Sequence, residues 1–145
     1  MNVGDQSEVI SFLASSRAHG GAGVERIDTH TAVVFLVGAS AYKLKRAVRF
    51  DYLDFSTLER RRQFCHAEVQ LNRRTAPTLY MGVMPVTRRI DGSLELGGIG
   101  SVIEWVIEMR RFDQEQLLDS LAVANRLEVD LMGALGTAIA RFHST

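Results

Sequence analysis

The chain has 145 residues, 46% of them hydrophobic and 23% charged, which fits one globular domain and excludes a disordered chain. Seventeen basic residues balance seventeen acidic ones, so the overall charge selects neither nucleic acid nor an anionic membrane as partner. The longest apolar run, Ala32 to Val37, is far short of the ~20 residues of a membrane helix, the N-terminus lacks the basic region of a secretory signal, and the lone Cys65 excludes an internal disulfide and fits a reducing cytoplasm.

Residues 5–17 read as a helix, with Asp5 and Glu8 at capping-box spacing and Val9, Ile10, Phe12 and Leu13 on one face. His19-Gly20-Gly21-Ala22-Gly23 ends it. Val24–Asp28 and the β-branched run Ala32–Val37 follow as strands. Ala41–Phe50 alternates, with Tyr42, Leu44, Val48 and Phe50 on one side and Lys43, Lys45 and Arg49 on the other. Ser56 and Glu59 form a second capping box, opening a long helix at about 57–74 that Pro77 stops. Tyr80–Ile90 is a strand, Asp91-Gly92 a hairpin turn, Leu94–Leu96 a short strand and Ser101–Arg111 a strong one. Asp113 with Gln116 caps a helix bearing Leu117, Leu118 and Leu121. The last helix, 129–143, carries Leu131, Met132, Leu135, Ile139 and Phe142 on one stripe broad enough to demand burial. The order predicts α+β with a mainly antiparallel sheet of about five strands and one long packing helix, followed by two C-terminal helices.

Charge is unevenly spread. Lys43–Arg74 holds nine basic and four acidic residues, and Asp113–Asp130 five acidic residues and Arg126. The two segments fit either a pair of solvated, mutually attractive faces or a basic site for a polyanion. Within the basic segment Glu68 stands out. Its helical neighbours Phe64, Cys65, Leu71 and Asn72 include no cation, so it has no partner on its own helix. An inward-facing carboxylate needs a tertiary partner, and Lys43 and Lys45 lie on one face of the preceding strand. A strand lysine fixed by a helix glutamate can hold a phosphate as a point charge; the alternative is Glu68 turned to solvent. Cys65-His66 and the scattered His19, His30 and His143 have no metal-ligand spacing, no nucleophile arrangement is apparent, and the arginines at 60–62, 73 and 74 read as a solvated helix face rather than an RNA-binding one.

The segments Asp28–Thr31, Ala41–Lys45, Leu53–Arg62, Glu68 with Leu71–Arg74, and Glu104–Trp105 with Met109–Phe112 resemble the aminoglycoside-phosphotransferase-like domain of bacterial proteins in which a P-loop ATPase domain follows. The resemblance runs from about residue 8 to 143. It implies a protein-kinase-like small lobe at 1–112 and the start of a helical large lobe at 113–145. It further implies that Lys45, or Lys43 two residues earlier, binds the phosphates of ATP and is held by Glu68. Met109, Arg110, Arg111 and Phe112 would face the adenine, and Thr29, His30 and Thr31 would take the place of the phosphate-covering loop, without its glycines. The catalytic and magnesium-binding aspartates of that pattern fall beyond Thr145, so the expectation is an ATP-binding lobe incomplete for catalysis, with no catalytic or metal residues of its own. Magnesium belongs to the complete enzyme. Expected partners are the nucleotide and either the missing lobe or a second copy through the last helix. The rival reading is a non-catalytic interaction domain retaining the lobe.

Overall fold

Helix α1 (Ser7–Leu13) and helix α2 (Leu58–Asn72) pack on opposite faces of one antiparallel sheet in the computed structural model, which describes residues 1 and 3–145. The sheet has six strands, β1 (Glu25–Asp28), β2 (Ala32–Val37), β3 (Ser40–Lys45), β6 (Tyr80–Arg88), β7 (Leu94–Leu96) and β8 (Ser101–Arg110), in the order β1-β2-β3-β8-β6-β7. A separate hairpin joins β4 (Arg49–Phe50) to β5 (Leu53–Asp54). Four α-helices complete the α+β fold; α3 is Leu118–Val123 and α4 is Val129–His143. Among the described residues no helix is long and apolar enough to cross a membrane.

Strand alternation explains the two faces. Val33, Phe35, Leu44, Val86 and Val106 pack with Val9 and Leu13 of α1. The intervening position Ile107 packs instead with Cys65 and Val69 of α2, flanked by Trp105 and Met109. Every β2 position except the half-buried Val34 is buried, in keeping with its continuous hydrophobicity. The Asp91-Gly92 turn also forms as expected, with Gly92 at φ 86° and Asp91 Oδ1 accepting from the Ser93 N–H at 2.9 Å.

Several boundaries differ from the sequence pattern, each for a local reason. The first helix is seven residues long rather than spanning 5–17, and a 3-10 turn at Ser16–His19 follows. No capping box forms, because Glu8 pairs with Arg88 at 2.6 Å and Asp5 accepts from the Ser7 N–H. The strand expected over Ala41–Phe50 breaks after Lys45, where the Arg46 N–H donates to Thr31 O and the Val48 N–H to Arg46 O. Thr57, not Ser56, caps α2, accepting from the Arg60 N–H at 3.2 Å. Glu59 instead reaches Arg62 and Gln63. Asp113 accepts from the Glu115 N–H and opens a 3-10 turn, so α3 starts only at Leu118. The sheet has six strands where about five were expected, and the short β1 and β7 both pair along their length.

Helix α4 matches its predicted span, but its stripe is not buried. Leu131, Met132, Ile139 and Phe142 are all exposed. None of the stripe residues joins the apolar clusters that α1 and α2 form with the sheet. The Arg74 guanidinium, 4.5 Å from the Phe142 ring, holds the end of α4 near the end of α2.

Candidate functional site

The central feature is a carboxylate shared by two ammonium groups. Lys43 Nζ lies 2.8 Å from Glu68 Oε1 and Lys45 Nζ 2.5 Å from Glu68 Oε2. The β3 alternation puts both lysines on the face that α2 covers, and Glu68 lies on the sheet-facing side of α2. Positions 61, 65 and 69 form the buried helix stripe, and 68 sits at its edge. Phe64 and Leu71, helical neighbours of Glu68, are 42% and 57% exposed, because they fall on the flank of that stripe. Burial alone raises the Glu68 carboxyl, but hydrogen bonds and charge from Lys43 and Lys45 outweigh it and hold the group below its ordinary value. Lys45 is buried, with its ammonium 4.9 Å from the Phe55 ring centre. Lys43 is more open.

Lys43 also lines a cleft of about 310 Å³ on the same face of the sheet, near the lower limit of small-molecule sites. Alternate residues of β1, β2 and β3 form its apolar wall, including Ile27, Val34, Leu36 and Ala41, and Met109 of β8, the register partner of Ala41, continues it. Of the expected site residues, Thr29, Thr31, Lys43, Met109, Arg110, Arg111 and Phe112 line this cleft. Lys45 and Glu68 stand behind Lys43 rather than in the wall, and His30 turns toward Phe50, with ring centres 6.4 Å apart. The Arg110 and Arg111 N–H groups donate to Leu79 O and Ala39 O, each at 2.8 Å, so any ring-edge hydrogen bonds fall to other backbone groups of this segment. The Arg111 side chain is drawn away to Glu25 at 2.9 Å.

The β1–β2 turn is braced rather than flexible. The Thr29 hydroxyl accepts from the Ala32 N–H at 3.0 Å, and Arg46 donates to Thr29 O at 2.8 Å while pairing with Asp28. Arg46 was not singled out by the sequence pattern, and its position one residue past the two lysines was the available signal. A more open hollow of about 770 Å³ lies at the β4–β5 hairpin. Its Arg49 and Asp54 pair with each other at 3.7 Å, and it lacks a buried cation.

A second buried polar group lies behind the lysines. Arg61 donates to Glu104 through Nε at 2.9 Å and Nη2 at 2.8 Å, and Gln6 Nε2 donates to Glu104 Oε2 at 2.8 Å. Arg61 thus departs from the solvated arginine face expected for residues 60–62. Trp105, next to Glu104, is half-buried, with the Arg62 guanidinium 5.5 Å from its ring. The basic segment finds its partners at Glu68, Glu104, Asp28, Asp54 and Glu59, in the sheet, the β4–β5 hairpin and α2 rather than in the acidic segment 113–130. Among the described residues no three His, Cys, Asp or Glu side chains come together as a metal site.

No family model and no solved structure matches the chain. Proteins described as uncharacterized do match it: Mb2027c of Mycobacterium bovis and Rv2004c of Mycobacterium tuberculosis are each 37% identical over 116 residues. The match covers 80% of this chain and 22% of each relative, so the chain spans about a fifth of the length of the curated relatives it matches.

Proposed function

We propose that the chain is the nucleotide-binding lobe of a protein-kinase-like small-molecule phosphotransferase, similar to the aminoglycoside-phosphotransferase-like domains, and that it binds ATP. One observation carries the reading: a half-buried glutamate on the long helix holds two strand lysines, and one of them, Lys43, opens into an apolar cleft bounded by residues 109–112. Lys43 is the phosphate-contacting lysine, because it lines the cleft while Lys45 is buried beneath Phe55. Glu68 holds and aims Lys43, and the braced Thr29–Thr31 turn covers the phosphate end. Magnesium, on this reading, belongs to the complete enzyme. On this reading phosphate transfer needs residues outside 1–145.

Thermal melts with and without ATP test the proposal. ATP at five times its Kd adds about 1 kcal/mol, a rise in Tm of roughly 2–4 °C. Lys43→Ala abolishes the rise. Lys45→Ala weakens it by loosening the carboxylate. The absence of any shift at millimolar ATP, with the chain folded, overturns the reading in favour of an interaction domain, for which the exposed stripe of α4 is the supporting observation.

A further inference from the structure

We propose that Glu104, with Arg61 and Gln6, is the positioning element of the lysine clamp: it ties strand β3 to helix α2 from behind, so that Glu68 is held within reach of Lys43 and Lys45.

The geometry forms a closed circuit. In front, Lys45 on β3 meets Glu68 on α2 at 2.5 Å. Behind, Gln6 Nε2 donates to the backbone oxygen of the same Lys45 at 3.0 Å and to Glu104 Oε2 at 2.8 Å. Gln6 Oε1 accepts from the Ala47 N–H at 2.7 Å. Glu104 then receives Arg61, which lies seven residues before Glu68 on α2, about two helical turns along the same side. Strand and helix are therefore joined twice, once through the clamp and once through Gln6, Glu104 and Arg61.

The rear link is built to be rigid. Glu104 is 1% exposed and Arg61 7%. Both Glu104 oxygens are engaged, Oε1 by the Trp105 N–H at 3.0 Å as well as by Arg61. Arg61 Nη1 donates to Phe55 O at 2.8 Å, tying down the segment that leads into α2. A network satisfied at every polar atom fixes one geometry, and loss of a single member leaves buried charge uncompensated. The front link is more accessible and shares one carboxylate between two cations. The rear link therefore sets where α2 sits, and the clamp follows.

This inference concerns the clamp in the free protein. Its consequence for ATP affinity rests on the function proposed above.

Two readouts test it without nucleotide. The Glu68 carboxyl can be titrated by carbon NMR, and Cys65, fully buried on α2 between Arg61 and Glu68, reports undocking of the helix through its rate of labelling by a thiol reagent. In Glu104→Gln the Glu68 titration moves up toward its ordinary 4.5 and Cys65 labelling accelerates at least tenfold. Leu13→Ala, which weakens the core beneath α1, serves as the control. It speeds labelling only as far as its global stability falls and leaves the Glu68 titration in the folded protein unchanged. If Glu104→Gln does not fold, Arg61→Lys decides by the same readouts, since it keeps the charge but loses the two-pronged contact. A folded variant with wild-type titration and labelling overturns the proposal. Altered readouts in a protein whose wild type binds no ATP would sink the nucleotide reading and leave the positioning role standing.

Discussion

Glu68 divides its two oxygens between Lys43 and Lys45, at 2.8 and 2.5 Å, so one half-buried carboxylate neutralises one of two ammonium groups and leaves the cluster with a net positive charge. The excess charge is directed by burial. Lys45 is enclosed and Lys43 is at the cleft, which makes the residual positive field available to an anion on the cleft side.

The two substitutions in this cluster should rank by what each leaves behind. Glu68→Gln leaves Lys45 buried without a carboxylate and should cost about 3 kcal/mol, the low end for breaking a buried pair. Lys43→Met should cost less, about 1 kcal/mol, since the Lys45–Glu68 pair survives and Lys43 is partly solvated. Urea unfolding of the two variants and wild type gives the order. A Lys43→Met cost equal to that of Glu68→Gln would mean the lysines act as one inseparable unit.

The same carboxylate makes the clamp acid-sensitive. Its folded-state value is depressed below the ordinary 4.5 despite burial, because both lysines favour the charged form. The unfolded chain therefore takes up the proton first on acidification. The Glu68 contribution to stability is complete above about 4.5 and is lost as pH falls through the lower folded value. The stability gap between wild type and Glu68→Gln should be constant from pH 7 to 5 and narrow below 4.5. A gap that widens in acid would contradict the assigned direction.

The parts of this arrangement legible in the sequence are those set by near neighbours. Helix α4 follows from its apolar period, β2 from its continuous apolar run and β7 from the turn residues on either side of it. Glu68 was readable because no cation stands three or four residues from it on its own helix. Arg61 was not, because its partner is 43 residues away and it sits in an arginine run that suggests solvent. A signal did exist: Glu104 interrupts an apolar strand in the phase of the buried Val106, and such a carboxylate demands a cation. Gln6 carries no local signal, since its hydrogen bonds reach Ala47 and Glu104, 41 and 98 residues on.

A steric prediction concerns the loop that leads into β8. A Cβ at Gly100 would collide with the backbone oxygen of Arg88, and one at Gly98 with the Glu95 carboxylate and the buried Thr87 hydroxyl. The Arg88 contact is with strand backbone that cannot rotate away. Gly98 also sits at φ 53°, where an L-residue is strained. Each glycine-to-alanine change should destabilise by about 1–3 kcal/mol. A control at Gly82, whose Cβ would meet nothing within 4 Å, should fall well below that range. Thermal melts that rank Gly82→Ala with the other two would refute the steric account.

The exposed face of α4 should bring two copies together. Leu131, Met132, Ile139 and Phe142 are all open to solvent, and an apolar stripe of this breadth is stabilised by burial against a partner. Charge selects the orientation. Asp130 lies in the first turn, and Arg141 and His143 in the last, so an antiparallel pair of α4 helices sets Asp130 of each copy beside Arg141 of the other and opposes the helix dipoles. Gly133 and Gly136 lie off this stripe and cost the isolated helix about 1 kcal/mol each, so the helix depends on packing for its stability. Sedimentation over a concentration series should therefore show a monomer–dimer equilibrium in wild type. Ile139→Glu should shift it to monomer without lowering Tm at dilute protein, because Ile139 makes no core contact within the chain. A wild-type chain that stays monomeric up to several hundred micromolar would show that the stripe is not a self-association face.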